Sequence, residues 1–257
     1  MSVNSYLQEL DSKLVLSNNE KSSITTSINT IKDRLISYFG DDVTDEIIFG
    51  SYTRETILPR KADEESDIDL MVVFKNSNNY KPQSFLNRLK NFAEAKYSTS
   101  EIYQSSPTIV LELNHIKFEL VPAYEYYGMY YIPSNGSEWM YTNPNEINSK
   151  LVECNKNNSY KIKPVVRLLK HWNIKNNSRG LYSFELEGKI ANEMTYAHII
   201  YKSYTDYLKS SLGKLKTYYN VTQIDNAISK IDEALKNEEG GYPNTAMSKI
   251  KEVFPEV

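Results

Sequence analysis

Two aspartates separated by one residue head an uninterrupted apolar run, Asp67-Ile68-Asp69-Leu70-Met71-Val72-Val73-Phe74. A short run of large and β-branched residues suits a buried strand, and alternate residues of a strand share a face. Asp67 and Asp69 therefore project to one side, Ile68 and Leu70 to the other. Carboxylates held side by side repel unless positive charge lies between them. Hard oxygen ligands of this kind suit Mg²⁺ bound together with phosphates. A solvated strand end can carry the same triplet, so its surroundings decide.

Upstream, Ile47-Ile48-Phe49 reads as a strand ending in a Gly-Ser turn, Gly50-Ser51, followed by a helix over residues 51–58 that Pro59 stops. Glycine permits a sharp bend and close approach of a ligand. A helix start offers unpaired N–H groups and the positive end of a dipole to an anion, and Ser51 adds a hydroxyl. Arg54 lies one turn into this helix, with a surface role or a substrate role open to it. The charged stretch 60–65 reads as a solvated connection from which Arg60 or Lys61 could reach a phosphate. Gly136-Ser137 repeats the dipeptide with no acidic pair downstream and reads as a plain loop.

Elsewhere the periodicities are conventional. Ile24, Ile28, Ile31 and Leu35 mark a helix over residues 22–39, preceded by a shorter one carrying Tyr6, Leu7, Leu10 and Leu14. Residues 82–97 read as a helix opened by Pro82. Two β runs, 108–113 and 116–121, read as a hairpin closed by Pro122, with Lys117, Glu119 and Val121 on one face. Residues 124–158, rich in Tyr, Asn, Ser and Gly, show no clear period. Their Tyr126, Tyr127, Tyr130, Tyr131 and Trp139 suit packing or stacking on a base. A helix beginning at Pro164 buries Val165, Val166, Leu168, Leu169 and Trp172, and carries Arg167 and Lys170 on one face. Ser183 can cap the helix after it, the same geometry that aims N–H groups and a hydroxyl at an anion. The tail reads as helical, striped by Val221, Ile224, Ile228, Ile231 and Leu235, with a last short helix after Gly240-Gly241.

The order strand, Gly-Ser, helix, Asp-X-Asp, apolar strand resembles the nucleotidyltransferase superfamily of DNA polymerase beta, poly(A) polymerase, oligoadenylate synthase and cyclic GMP–AMP synthase. The likeness covers most of the chain and is nearest to the bacterial cyclic-oligonucleotide synthases. It implies an α+β, bilobed fold: a small mixed β-sheet catalytic lobe with flanking helices (residues 41–158), bracing N-terminal helices (1–40) and a C-terminal helical lobe (159–257). It implies two Mg²⁺ ions, with Mn²⁺ able to substitute, held by Asp67, Asp69 and a third carboxylate on a neighbouring strand. Glu119, in Phe118-Glu-Leu-Val-Pro-Ala123, matches that context, although the family often has Asp there; Glu112 is the competitor. The resemblance also makes Gly50, Ser51, Arg54, Lys170 and Ser183 contacts of the donor nucleotide, with Tyr182 or Phe184 stacking on its base. One departure is Glu55, which stands where the family often has glycine after the arginine of its GSxxR stretch.

The implied function is to join nucleoside triphosphates into short, cyclic signalling oligonucleotides that a separate effector protein reads during phage infection. A linear product, modification of an RNA end or small molecule, and an inactive binding role are the alternatives. A net charge of −3 argues against a protein that clamps long nucleic acid, whereas nucleoside triphosphates need only a local positive pocket. One cysteine, Cys154, and three histidines exclude an internal disulfide and a Cys/His zinc cluster. With no signal-peptide pattern and no run long enough to span a bilayer, a cytoplasmic protein with no membrane partner is expected.

Overall fold

A computed structural model of the chain describes residues 1–76 and 78–257. The chain divides into two compact units, and each is interleaved in sequence. The sheet unit comprises residues 17–53 and 65–145; the helical unit comprises 1–16, 54–64 and 146–257. The linear partition into 1–40, 41–158 and 159–257 therefore differs from the one that packing draws.

Among the described residues, the sheet unit is built on seven strands: β1 (Val43–Phe49), β2 (Asp67–Phe74), β3 (Ile102–Ser105), β4 (Thr108–Glu112), β5 (Lys117–Tyr126), β6 (Met129–Pro133) and β7 (Trp139–Thr142). The order is β1-β2-β5-β4-β3, with β6 pairing β5 and β7. Only β2 and β5 run parallel; the other pairs are antiparallel. Helices α2 (Asn18–Phe39) and α4 (Pro82–Lys96) lie against this sheet. Helix α2 begins four residues earlier than its apolar stripe suggests, because Ser17 and Glu20 form a reciprocal capping box. Its Ile24, Ile28, Ile31 and Leu35 are buried, as are Phe85, Leu89, Phe92 and Ala93 of α4. Ring contacts from Phe74 to Phe39 and to Phe85, at 5.1 and 5.2 Å, tie both helices to β2.

Two strand expectations are corrected. Pro122 does not close β5, which continues to Tyr126. On one edge the strand pairs with β4 as far as Leu120 and with β6 from Tyr124, and Pro122 sits between these two ladders while remaining opposite Val72 of β2. The aperiodic 124–158 segment contains β6, β7 and helix α5 (Glu146–Asn157). β5 and β6 join through Tyr127 and Gly128, both at positive φ, the geometry of a tight hairpin turn. Tyr131 stacks on Tyr124 at 5.1 Å, and Trp139 meets Tyr124 and Phe85, so these two rings pack the unit, while Tyr126 and Tyr127 are exposed.

The helical unit collects α1 (Val3–Lys13), α5, α6 (Ile162–Asn176), α7 (Ser183–Glu193), α8 (Tyr204–Leu215), α9 (Val221–Glu239) and α10 (Pro243–Val253) around one core. Helix α1 inserts Val3, Tyr6, Leu7 and Leu10 into it, each burial stabilising by roughly 1.5–3 kcal/mol. Tyr6 donates to the Phe254 carbonyl at 2.6 Å, and Asp11 receives two hydrogen bonds from Arg167, at 2.8 and 2.9 Å. Arg167 also donates to the Glu55 carbonyl, so the 54–64 segment is stitched into the same core. Cys154 is fully buried, and desolvation raises its thiol pKa to about 11, as befits a bystander.

Candidate active site

The sheet register decides which acids meet. β2 and β5 pair with Asp67 opposite Lys117 and Asp69 opposite Glu119. Directly paired residues project to the same face, so Asp67, Asp69, Lys117 and Glu119 form a two-by-two block of charge on one side of the sheet. Beyond the block the same face turns apolar, with Met71, Val73 and Ala123 packing against Ile47, Phe49, Tyr130 and Ile132. The acids are thus footed on a rigid surface and half-exposed at its margin. Glu112, the rival third carboxylate, pairs with Lys117 one strand further out, whereas Glu119 adjoins Asp69.

β1 delivers the Gly-Ser turn to this block. Phe49 pairs with Asp69, and Gly50 follows with φ +74. A Cβ on Gly50 would lie 1.7 Å from Oδ2 of Asp69. The missing side chain is therefore the space the Asp69 carboxylate occupies. The helix expected over 51–58 is a single turn, α3 (Gly50–Thr53). Glu55 ends it by adopting a left-handed backbone, φ +58, at the position where the resemblance puts glycine. One turn carries little macrodipole, so the case for an anion here rests on Gly50 and the Ser51 hydroxyl.

Lys117 is buried, 6% exposed, and its Nζ lies 3.0 Å from Oε2 of Glu65 and 3.8 Å from Oδ2 of Asp67. Burial works against its charge, but the hydrogen bond to Glu65 and the fields of Asp67 and Glu119 prevail and hold its pKa above the ordinary lysine value. Among the described residues, no three His, Cys, Asp or Glu side chains close on a common point. The donor set still fits a divalent cation in two respects. It offers three carboxylates on one face, and Gly50 leaves one of them its space.

The remaining expected contacts lie on the helical unit. Lys170 and Arg54 are both buried and both form ion pairs with Glu187, which has no solvent exposure. Lys170 also donates to the Thr56 carbonyl at 3.2 Å. Burial opposes ionisation of Glu187, but Lys170 and then Arg54 override it and hold its pKa below the usual value. Neither cation belongs to a solvated basic face; each braces the segment that follows the Gly-Ser turn. Ser183 does not occupy the cap position of α7, which Tyr182 takes without a side-chain cap bond. Ser183 is the first helical residue and is exposed, as are Tyr182 and Phe184, at 77% and 61%.

A sequence profile of the SMODS family, the Second Messenger Oligonucleotide or Dinucleotide Synthetase domain, matches residues 1–155. The chain belongs to the SMODS family. A curated relative, a cyclic AMP-AMP-AMP synthase from an Acinetobacter strain, is 27% identical over 194 residues, which is 72% of this chain and 56% of that protein. The SMODS chain thus spans little more than half the length of that relative. Among solved structures, CdnC of E. coli MS115-1 with ATP matches with a TM-score of 0.75 at 12% identity, covering 98% of this chain and 97% of that one. The Vibrio cholerae cyclic AMP-GMP synthase DncV, solved with a linear intermediate, gives 0.73 at 12% identity over 95% and 92%. CdnE of Elizabethkingia meningoseptica, solved with GTP and Apcpp, gives 0.64 at 18% identity over 82% and 83%. These likenesses establish the bilobed nucleotidyltransferase fold, a mixed-sheet lobe and a helical lobe, for this SMODS chain. Among the described residues, no helix is long and apolar enough to cross a membrane.

Two residues of the candidate site lie beyond what the sequence pattern reveals. Lys117 was visible as a face-mate of Glu119, but its pairing with Asp67 depends on the β2–β5 register, which no local pattern encodes. Glu187 ends the run from Gly180 that holds Ser183, and its pairing with Arg54 and Lys170 depends on tertiary packing.

Proposed function

We propose that this chain is a metal-dependent nucleotidyltransferase that joins nucleoside triphosphates into short cyclic oligonucleotides with release of pyrophosphate. The observation that carries this reading is the register that sets Glu119 beside Asp69 on the face shared with Asp67, next to Gly50. The reaction forms a bond from a ribose hydroxyl oxygen to the α-phosphorus of a second nucleotide. The bond from that phosphorus to the β-phosphate bridge breaks, pyrophosphate leaves, and the hydroxyl proton passes to solvent.

Asp67, Asp69 and Glu119 would hold the cations, Mg²⁺ or Mn²⁺. When bound, these supply Lewis-acid stabilisation of the attacking and leaving oxygens. The protein's own work is positioning and charge compensation. Gly50 leaves room for the Asp69 carboxylate beside the turn, and the Ser51 hydroxyl donates to a phosphate. On the helical unit, Ser183 offers a hydroxyl and N–H groups to the donor triphosphate, and exposed Tyr182 or Phe184 offers a flat face to its base. Arg54 and Lys170, committed to Glu187, contribute by fixing the backbone around Thr56.

The names of the relatives, a cyclic AMP-AMP-AMP synthase and a cyclic AMP-GMP synthase, favour a ring as product and ATP among the substrates. In this reading the product is a signal taken up by a separate effector in antiphage defence. The second reading is a linear oligonucleotide product.

Incubation with labelled nucleoside triphosphates and Mg²⁺ or Mn²⁺, followed by phosphatase treatment and mass analysis, separates the readings. A phosphatase-resistant product is expected, and Asp67→Asn should reduce it at least about a hundredfold while leaving the melting temperature near that of the wild type. A phosphatase-sensitive ladder would replace the ring with a linear oligomer. Turnover in Asp67→Asn equal to wild type would remove the acidic face from the chemistry.

A further inference from the structure

Lys117 is the one cation in the charged block, and its position suits more than neutralisation. It lies on β5 two residues before Glu119, directly opposite Asp67 on β2 and opposite Glu112 on β4. Its ammonium stands between a carboxylate of the block, Asp67 at 3.8 Å, and one outside the strands, Glu65 at 3.0 Å. Glu65 is 60% exposed while Lys117 is nearly enclosed. The lysine is therefore anchored outward and leans inward. A buried ammonium is costly unless paired, and clustered carboxylates are costly unless a cation lies among them. Each need meets the other.

We propose that Lys117 is a positioning residue: an internal counter-ion that holds the Asp67 carboxylate in place and sets how readily a divalent cation loads onto Asp67, Asp69 and Glu119. The proposal rests on the reading of those three residues as the cation site. A divalent cation held by Asp67 would share that carboxylate with the Lys117 ammonium, 3.8 Å away, so one would displace the influence of the other. When the cation loads, Lys117 retains Glu65 and stays paired. The chain thus carries its own graded competitor for the metal, with Glu65 determining how strongly it competes.

Direct Mn²⁺ titration of the full chain, by calorimetry or electron paramagnetic resonance, together with thermal melts with and without Mn²⁺, tests this without turnover. Removing a unit charge this close should tighten Mn²⁺ binding about tenfold in Lys117→Met. The same variant should melt lower than wild type without Mn²⁺ and gain more on its addition, and Lys117→Arg should restore wild-type behaviour. Glu65→Gln should act in the opposite sense, weakening Mn²⁺ binding several-fold as Lys117 turns wholly to Asp67, and this effect should vanish in the Lys117→Met background. Unchanged Mn²⁺ affinity in Lys117→Met, with Asp67→Asn weakening it, would overturn the role of Lys117 alone. Unchanged affinity in Asp67→Asn would overturn the cation site itself. If Lys117→Met fails to fold, Glu65→Gln decides: affinity equal to wild type overturns the proposal.

Discussion

Gly50→Ala is expected to lose nucleotide-joining activity by at least about a hundredfold, as much as deleting a catalytic donor, while the chain still folds. The argument is spatial first. The added Cβ would lie 1.7 Å from Oδ2 of Asp69, 2.7 Å from its Cγ and 3.2 Å from its Cβ. No rotation of a methyl group relieves contacts that short, so the Asp69 carboxylate must swing out of the space beside Gly50. Backbone strain adds to it, since φ +74 costs a residue with a side chain about 1–2 kcal/mol. Mn²⁺ titration should show weakened binding alongside lost activity. Gly136→Ala is the control: it sits in the second Gly-Ser pair, and an added Cβ would meet the flexible end of the Gln83 side chain at 3.0 Å and its Cβ at 3.9 Å. Activity in Gly136→Ala should match wild type. Full activity in Gly50→Ala would show that Asp69 does not need its present position.

The second large effect concerns stability. Glu187→Gln should lower the unfolding free energy by about 3–5 kcal/mol, because it leaves two buried cations, Arg54 and Lys170, without their counter-charge. Urea unfolding followed by circular dichroism measures it. The sign of the pH dependence follows from the Glu187 pKa, which is held below the ordinary glutamate value in the folded chain. Its contribution is complete above that value and is lost as pH falls through the depressed folded value. Wild type and Glu187→Gln should therefore converge in acid and diverge toward neutrality. A difference independent of pH would point to packing instead of charge.

Where the sequence was readable, it was readable for physical reasons. Asp67-X-Asp69 before an apolar run announces both its strand and its shared face, because strand periodicity is two and strictly local. The stripes of α2, α4 and α9 are likewise local, at a period near 3.6. Failures came where a neighbour decides. Nothing in residues 51–58 reveals that Glu55 turns left-handed and stops the helix after Thr53, although its departure from an expected glycine marks the place. Pro122 looks like a terminator unless one knows that β5 changes partners there. β6 and β7 are half-exposed and tyrosine-rich, so they lack the alternation that betrays a strand. Likewise Lys170 and Arg54 read as available cations until the fold brings Glu187 to both.

The interleaving of the two units bears on how such chains can be recombined. Residues 1–16 and 54–64 pack with the helices that begin at Glu146, although the sheet unit separates them in sequence. Arg167 grips Asp11 from one piece and the Glu55 carbonyl from the other. A crossover near residue 145 between two diverged parents would therefore give helices whose α1 and whose Arg54 strap were shaped for another core. Lobes woven in this way are inherited as a set, and diversity among relatives must accumulate by point changes and at loop tips sooner than by exchange of halves.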